Sequence, residues 1–312
     1  MRTNAARYAF ERAKTVERVL VTGSSGLIGH RVAGLLIASG VSVQGFDLRP
    51  PPAGAPFPAQ VGSLADDEAV AAAMRGCDAV VHFGAVSGPM LLLDNPAAIA
   101  TANVGACMAV FAAAHRAGVR RLVWASSIAV YGDQATLDPV TEDAPLHPAS
   151  FYAETKVAGE ALLHGYVRHY GLDAIALRLS TVYGPDRQTP CALRDMIVAT
   201  REGRPVAVSA PGSGQRQYIH ADDAARAVLC ALGAPPDHRF AYNISGGTWL
   251  AEAEVAERLR TLLRAMTTIE GPAAWSDGHL GPLVIEAARR DFGYEPRVDL
   301  HDGLAEMVRQ IG

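Results

Sequence analysis

The chain has 312 residues, of which 49% are hydrophobic and 19% are charged, and its formal net charge at pH 7 is -4. This length suits one large domain or a main domain with a smaller companion, and the composition allows a substantial core. The slight negative charge gives no broad positive field, which argues against nucleic acid or an anionic membrane as a partner.

The sequence shows no signal for export, membrane insertion or metal binding. The N-terminal residues form a polar, helix-like lead without the apolar core of a signal peptide, and no apolar run approaches the roughly 18 residues that cross a bilayer. The 4 cysteines are far apart and form no CxxC pair, and no His/Asp/Glu cluster has metal-ligand spacing. We therefore expect a short N-terminal extension on a soluble, cytoplasmic protein without a metal.

Strands and helices alternate through the first 180 residues. Apolar runs predict strands at 18–22, 41–47, 77–85 and 120–127, and a strand leading to a turn at 172–185. Helical spacing predicts helices at 27–40, 66–76, 95–118 and 152–171. The stretch PPPAGAPFP at 50–58 predicts a surface loop.

This alternation predicts an α/β fold with a Rossmann-type doubly wound parallel sheet. We expect residues 1–180 to form the sheet domain, with 215–245 returning to it. After Pro185 the pattern loosens, so residues 181–312 are expected to form mainly a smaller C-terminal lobe. Open sheets of this kind bind ligands at the carboxyl ends of their strands, where this lobe would bind substrate.

The stretch VTGSSGLIG places Gly23, Gly26 and Gly29 between the first strand and the first helix. Glycines let the backbone turn tightly and approach a pyrophosphate, and the helix N-terminus offers free N–H groups to that anion. The alternative is a turn that needs glycine for packing only. Strand, loop, helix, second strand and terminal acid occur in the order of a dinucleotide fingerprint, which favours binding.

The terminal acid is Asp47, at the end of the second predicted strand. A carboxylate at this distance from the glycine loop can accept hydrogen bonds from the adenosine ribose hydroxyls and would repel a 2′-phosphate. Asp47 therefore favours NAD over NADP, although Arg49 nearby could reach a 2′-phosphate. A solvated strand end is the alternative interpretation of Asp47.

The stretch SFYAETK places Tyr152 and Lys156 one helical turn apart, on one face of a predicted helix. A tyrosine hydroxyl is a poor base at neutral pH, and a neighbouring ammonium stabilises the phenolate. Tyr152 could then remove a proton from a substrate hydroxyl while hydride leaves for the cofactor. Alone, this spacing is equally typical of an ordinary amphipathic helix.

Two serines end the strand that precedes Tyr152. In LVWASSIAVYG, Ser126 and Ser127 follow an apolar run, and the end of that strand faces the cofactor in a doubly wound sheet. A serine hydroxyl there can donate a hydrogen bond to the oxygen that becomes a carbonyl. The alternative is a hydroxyl that only caps the strand end.

These features together resemble the extended short-chain dehydrogenase/reductase family, in its NAD-dependent nucleotide-sugar epimerase/dehydratase branch. TGSSGLIG matches the family's TGxxGxxG, HFGA its HxAA, NVGA its NVxGT, and SSIAVYG with FYAETK its serine strand and YxxxK. LRLSTVYGP, RQYIHADDAARAV and ARRDFGYEPRVDLHDGL resemble its RxxNVYGP, RDFxHVDDxA and C-terminal segments. The resemblance covers nearly the whole chain.

The resemblance implies a role for each matching position. It implies Ser127, Tyr152 and Lys156 as the catalytic residues. It implies a cofactor site formed by Lys156 together with Gly23, Ser25, Gly26, Leu27, Ile28, Gly29, Asp47, Ser63, Leu64, Phe83, Gly84, Ala85 and Asn103. It implies substrate contacts from Ser87, Ser127, Tyr152, Thr181 and Arg216, with Arg216 pairing a nucleotide phosphate. It also implies a homodimer formed through helices at about 94–117 and 152–170.

The chain departs from the family pattern where the substrate is chosen. Ile128 and Ala129 stand where dehydratases carry an Asp-Glu pair, which disfavours 4,6-dehydration. Thr181 replaces the Asn of RxxNVYGP, Ser63 replaces an acid near the adenine, and GSGQR shortens the approach to Arg216. These changes weaken the expected grip on a nucleotide diphosphate.

Three functions follow from these patterns. The first is a nucleotide-sugar epimerase, which oxidises a sugar hydroxyl transiently and returns the hydride. The second is a dehydrogenase of a sugar, sugar acid or other alcohol, which releases the reduced cofactor and uses NAD or NADP. The third is a non-catalytic cofactor sensor, which an intact Ser-Tyr-Lys set disfavours.

Overall fold

The computed structural model describes residues 16–88, 91, 94–210, 214–271 and 279–311. The predicted N-terminal extension and the start of GSGQR lie outside these residues. The main sheet has 7 strands in the order β10-β6-β5-β4-β1-β2-β3, and its paired strands are all parallel. Its strands are β1 (Arg18–Thr22), β2 (Ser42–Asp47), β3 (Ala59–Val61), β4 (Ala79–His82), β5 (Arg121–Ser127), β6 (Ala174–Leu179) and β10 (Ala241–Ile244).

Helices cover both faces of this sheet, so the predicted doubly wound α/β fold is confirmed. The helices are α1 (Leu27–Ala38), α2 (Asp67–Met74), α3 (Pro96–Ala117), α4 (Phe151–Tyr170), α5 (Ala192–Arg201), α6 (Ala221–Leu232), α7 (Glu252–Leu262), α8 (Glu286–Phe292) and α9 (Leu300–Gln310). Alternate residues of β1 are buried on opposite faces: Val19 and Val21 in one core cluster, Leu20 in the other. Burial on both faces explains why these strands appear as continuous apolar runs. The irregular loop predicted at 50–58 is also present.

Helix α3 combines high apolarity with burial inside the fold. By length and composition alone it could cross a membrane, because its many alanines give a mean hydropathy of 1.8. Half of its most apolar window is buried inside the fold. Phe111 and Val110 of this helix belong to the core cluster that also contains β4 and β5, as expected of the core helix of a soluble protein. A π-helical turn at Thr101–Gly105 interrupts it.

Within the stretch 172–185, predicted as a strand leading to a turn, the main-sheet strand ends at Leu179 and the chain leaves that sheet. The backbone N–H of Ser180 donates to the carbonyl of Ile244 (2.9 Å), the last bond to that sheet. The chain then forms β7 (Thr181–Tyr183), which pairs with β9 (Arg216–His220) in a separate sheet completed by β11 (Thr248–Leu250).

The remaining C-terminal elements pack around their own core. Strands β8 (Val206–Val208) and β12 (Thr268–Glu270) form a small pair. Ile197 of α5, Leu259 of α7 and Leu304 of α9 lie in one buried cluster with Tyr183 and Tyr218. Residues from these elements and from the carboxyl ends of β5 and β6 line one large cavity.

Candidate functional site

A cavity of about 2110 Å³ lies at the carboxyl ends of the main strands. It is larger than the roughly 300–1,000 Å³ of a typical single-ligand pocket, so it has room for two ligands. It is lined by all but one of the predicted site residues, namely Gly23, Ser25, Gly26, Leu27, Ile28, Gly29, Asp47, Ser63, Leu64, Phe83, Gly84, Ala85, Ser87, Ser127, Tyr152, Lys156, Thr181 and Arg216. The exception is Asn103, which lies behind the wall.

The glycine loop fits closely between strands. Gly23 has φ 70°, and a Cβ there would lie 2.8 Å from the backbone N of Gly84. At Gly29, a Cβ would lie 2.2 Å from the carbonyl oxygen of Gly23. Gly26 is the N-cap of α1 and supplies no side-chain cap. The first N–H groups of α1 are therefore available to an anion. The anion can also approach the loop backbone closely, because the loop has no room for a Cβ at Gly23 or Gly29.

Asp47, at the end of β2, is hydrogen-bonded to this loop. Its carboxylate accepts hydrogen bonds from the backbone N–H groups of Ser25 (3.0 Å) and Arg49 (3.0 Å). These bonds hold a negative charge at the cavity wall, where it suits ribose hydroxyls and opposes a 2′-phosphate. Arg49 donates to Gln188 (2.8 Å) and, more weakly, to the carbonyl of Ser25 (3.5 Å). The uncapped helix, the glycine cradle and this carboxylate fit a dinucleotide without a 2′-phosphate.

His82 lies beneath the cofactor side and is fully buried. Its Nδ1 lies 2.6 Å from the hydroxyl of Thr22, which also accepts from the backbone N–H of Gly84 (3.3 Å). Burial, and secondarily the ammonium of Lys156, lower the pKa of His82 to about 3. The imidazole is therefore neutral at physiological pH and supports the loop rather than transferring protons.

Tyr152 and Lys156 lie side by side at the start of α4. Ser150 caps this helix by accepting from the N–H of Ala153 (3.2 Å). The Lys156 ammonium donates to the carbonyl of Ala125 (2.8 Å) and lies 5.8 Å from the centre of the Tyr152 ring. It also lies 5.0 Å from the Trp124 ring, a cation–π contact. The ammonium is thus fixed next to the tyrosine in a buried setting.

The structure separates the two serines at the end of β5. Ser127 is partly exposed, lines the cavity and accepts from the N–H of Ala129 (3.2 Å). Ser126 is buried, and its hydroxyl donates to the carboxylate of Glu160 on α4 (2.6 Å). Both serines line the cavity, but the Ser126 hydroxyl is committed to Glu160, whereas the Ser127 hydroxyl accepts one backbone bond and keeps its proton for a substrate.

Asn103 lies in the π-helical turn of α3, a feature often found at functional sites. Its amide exchanges hydrogen bonds with the backbone of Val86, accepting at 2.8 Å and donating at 3.2 Å. It also donates to the hydroxyl of Thr155 (3.0 Å), the neighbour of Lys156. Asn103 therefore ties the loop after β4 to the Tyr152 helix from behind the cavity wall.

The lobe side of the cavity carries Arg216 on β9. Its guanidinium is buried and lies 3.7 Å from the carboxylate of Glu252, which is itself held by the N–H and hydroxyl of Ser209 (2.9 and 2.7 Å). Thr181, the first residue of β7, also lines the cavity. A positive group held by a buried carboxylate at this position suits a phosphate.

Sequence reasoning missed several lining residues on this side. They are Arg187, Gln188, Thr189, Cys191, Gln215, Asp133 and His279. They come from separate segments, and apart from Gln215, which lies inside GSGQR, no quoted motif contains them. Asp133 and His279 are in contact, because the backbone N–H of His279 donates to the Asp133 carboxylate (2.6 Å). Across residues 16–88, 91, 94–210, 214–271 and 279–311, no group of three or more His, Cys, Asp or Glu could hold a metal.

The crossing loop, residues 184–191, bridges the two sides of the cavity. Arg31 of α1 pairs with Asp186 of this loop (2.6 Å) and with Asp222 of α6 (2.9 Å). The bond from Arg49 to Gln188 is a second bridge over the adenosine end. The guanidinium of Arg187 donates to carbonyls of its own segment. The loop is thus fastened to the glycine-loop side at two points.

The positions that would distinguish a dehydratase carry no acid. Ile128 is buried, and Ala129 lines the cavity. The described lining contains only three carboxylates, those of Asp47, Asp133 and Asp186. None of them occupies the two positions after Ser127.

Comparisons with known proteins agree with this geometry. The model of the NAD dependent epimerase/dehydratase family matches residues 19–245. A UDP-glucose 4-epimerase of Mycolicibacterium smegmatis is 31% identical, over 93% of this chain and 97% of that protein. A dTDP-glucose 4,6-dehydratase of Streptomyces niveus is 28% identical, over 93% and 91%. The structure of MoeE5 in complex with UDP-glucuronic acid and NAD superimposes with a TM-score of 0.86 and 29% identity, covering 94% of this chain and 98% of that one.

Proposed function

Because this chain belongs to the NAD dependent epimerase/dehydratase family, within the extended short-chain dehydrogenases/reductases, we propose that it is an NAD-dependent nucleotide-sugar epimerase. The observation that carries the proposal is the convergence of Ser127, Tyr152 and Lys156 on one cavity with the glycine loop. The absence of acids at positions 128 and 129 favours this chemistry over 4,6-dehydration.

The three side chains divide the proton chemistry among them. Tyr152 takes the proton of the reacting sugar hydroxyl and later returns it. The Lys156 ammonium, held by the carbonyl of Ala125 and the Trp124 ring, stabilises the phenolate and would bond the cofactor ribose. Ser127 donates a hydrogen bond to the sugar oxygen as it becomes a carbonyl.

The glycine-loop side holds the cofactor in this proposal. Gly23, Gly26 and Gly29 would cradle the pyrophosphate at the N-terminus of α1, and Asp47 would accept from the adenosine ribose. Ser63, Leu64, Phe83, Gly84 and Ala85 line the space between. When bound, NAD supplies an acceptor that takes hydride from the sugar carbon and gives it back to the opposite face.

The lobe side would hold the nucleotide sugar. Arg216, fixed by Glu252, is the proposed phosphate contact. Thr181 and Ser87 would face the sugar. We propose a UDP-sugar as substrate for two reasons. The similarity to a UDP-glucose 4-epimerase extends over nearly the whole chain. The similarity to MoeE5, whose structure contains UDP-glucuronic acid and NAD, is equally extensive.

The second candidate is a dehydrogenase that releases the reduced cofactor. Thr181 and the shortened GSGQR segment favour it, since both depart from the pattern of nucleotide-sugar enzymes. The two functions use the same three catalytic residues. They differ in whether the cofactor leaves after each oxidation.

We also propose a soluble, cytoplasmic homodimer with a cofactor domain at 1–180, joined by 215–245, and a lobe made mainly of 181–312. The dimer would form through α3 and α4. Met108 of α3 and Tyr170 of α4 support this proposal, because their side chains are large, apolar and exposed (56% and 61%).

The test begins with protein purified without added cofactor. NAD released by denaturation should approach one equivalent per chain, and UDP-glucose or UDP-glucuronic acid should yield its 4-epimer with no NADH accumulating. Tyr152→Phe should retain the NAD and lose about 10²- to 10⁴-fold in turnover. Continuous NADH production without any isomer would contradict epimerisation and support the dehydrogenase.

A further inference from the structure

Three side chains of α4 follow one another at intervals of one helical turn, and the second and third contact the end of β5. Tyr152 and Lys156 have been described, and Glu160 follows four residues later on the same face. Lys156 donates to the carbonyl of Ala125, and Glu160 accepts from the hydroxyl of Ser126 (2.6 Å). Gly159 permits this close approach, since a Cβ there would lie 2.6 Å from the Trp124 ring.

Glu160 is held from its other side by Arg178 of β6. The guanidinium donates to both carboxylate oxygens, with Nε at 2.9 Å and Nη2 at 2.7 Å. Both side chains are almost fully buried, with exposures of 7% and 6%. Arg178 lies directly opposite Ser126 in the parallel pairing of β5 and β6. The hydroxyl of Ser126 thus bonds to an ion pair whose two members belong to α4 and β6.

The same arginine also holds the segment that follows Ser127. Its Nη1 donates to the hydroxyl of Tyr131 (2.8 Å), in the short 3₁₀ turn Ile128–Tyr131. That hydroxyl donates in turn to Asn243 of β10 (2.6 Å). Ser127 therefore lies between two residues, Ser126 and Tyr131, that are both anchored to one buried charged group.

A buried ion pair is a weak source of stability, because desolvation of the two charges offsets much of their attraction. Its best-supported use is to fix one geometry among alternatives. The geometry at stake here is the position of the Ser127 hydroxyl relative to Tyr152, since α4 carries both Tyr152 and Glu160. A shift of about 1 Å in such a group can cost on the order of 100-fold in rate.

We propose that Ser126, held by the Glu160–Arg178 pair, is a positioning residue that sets the Ser127 hydroxyl against Tyr152. The proposal rests on the proposed role of Ser127 as the catalytic hydroxyl. Ser126 itself touches neither substrate nor cofactor in this assignment and acts through its neighbour.

The test compares Ser126→Ala, Ser127→Ala and the double variant. Ser126→Ala should lower kcat about 10- to 100-fold, with KM and the bound NAD content unchanged. When residue 127 is alanine there is no hydroxyl left to position, so the double variant should turn over no more slowly than Ser127→Ala. Ser126→Thr, which restores a hydroxyl, should recover part of the activity.

A general structural role would give a different result. If Ser126→Ala slowed the double variant by the same factor as it slows the wild type, or had no effect on kcat, the positioning role would be wrong. Ser245→Ala is the matched control, because Ser245 is also a buried serine at the carboxyl end of a main-sheet strand, where it directly follows β10, and it should keep full activity.

The comparison is made on whichever reaction the wild type performs. Isomer formation serves if the enzyme is an epimerase, and NADH production serves if it is a dehydrogenase. Failure of the epimerase proposal therefore appears in the wild type, whereas failure of the positioning role appears only in the comparison of variants.

Discussion

The two sides of the cavity are built by different means. The cofactor side is made mostly of backbone: a glycine loop, an uncapped helix and one carboxylate, all within residues 22–49. The lobe side is made of long side chains from separate segments, among them Arg216, Gln188 and His279. A change on the cofactor side should therefore act through shape, and a change on the lobe side through charge and hydrogen bonding.

The largest effect should come from Gly29→Ala on the cofactor side. The new Cβ would lie 2.2 Å from the carbonyl oxygen of Gly23, a backbone atom that cannot move aside alone. The loop must shift, and the overpacking should weaken NAD binding by roughly 100-fold. Titration of cofactor-free protein with NAD, followed by calorimetry, measures the change.

Gly34→Ala is the matched control in the same helix. A Cβ there meets nothing within 4 Å, so NAD affinity should stay unchanged and unfolding should cost up to about 1 kcal/mol more. Equal NAD affinity in Gly29→Ala and Gly34→Ala would show that the close approach of residue 29 to the Gly23 carbonyl does not determine cofactor binding.

Arg216→Lys, on the lobe side, should affect substrate binding and leave NAD binding unchanged. The charge remains, but the forked guanidinium beside Glu252 is lost. We expect KM for a UDP-sugar to rise about tenfold or more, with the bound NAD content unchanged. If the same variant lost its NAD, the two sides would not be separable.

The buried His82 should make the cofactor side sensitive to acid. Its pKa is about 3 in the folded protein against 6.5 ordinarily. Between these values the unfolded chain binds the proton and the folded protein does not, so folding stability falls as pH decreases below about 6.5. His82→Asn should remove about 1.4 kcal/mol per pH unit from this dependence.

Urea unfolding of both proteins at several pH values between 7.5 and 4.5 would measure the two slopes. Parallel slopes would mean that His82 does not contribute to the acid sensitivity. The variant should lose less stability in acid than the wild type, and a greater loss would contradict the prediction.

The smallest effect should come from the bridge between the two sides. Arg49→Ala removes the hydrogen bond to Gln188, and NAD should leave roughly 2- to 10-fold faster. Gln188→Ala should do the same, and the double variant should be no faster than either. Stopped-flow chase with excess unlabelled cofactor measures these rates, and additive effects would contradict a shared bond.

The sequence was most informative where function depends on neighbours in the chain. Gly23, Gly26, Gly29 and Asp47 form a local pattern, and the spacing of Tyr152 and Lys156 is set by one helix turn. The resemblance assigned Ser127, but the partner of the Ser126 hydroxyl needed the fold. Glu160 of α4 and Arg178 of β6 are 18 residues apart and meet only because the helix packs on the sheet, so no spacing rule could identify them.

Two details lay beyond the sequence for physical reasons. Alanine-rich α3 is as apolar as a membrane span, yet its small side chains pack in a core. Within the stretch predicted as a strand leading to a turn, the main-sheet strand ends at Leu179, because Ser180 bonds to β10 and the chain then joins β9. Amino-acid composition does not determine what a helix packs against or which sheet a strand joins.

The ion pairs of Arg31 have a practical consequence for preparing this enzyme. Asp186 and Asp222 are 63% and 49% exposed, so both pairs are open to screening by dissolved ions. At about 1 M salt the Debye length is only about 3 Å, and the crossing loop would lose part of its hold on α1. High-salt chromatography would then strip cofactor that a low-salt preparation keeps, and two such samples would differ in specific activity while having identical chains.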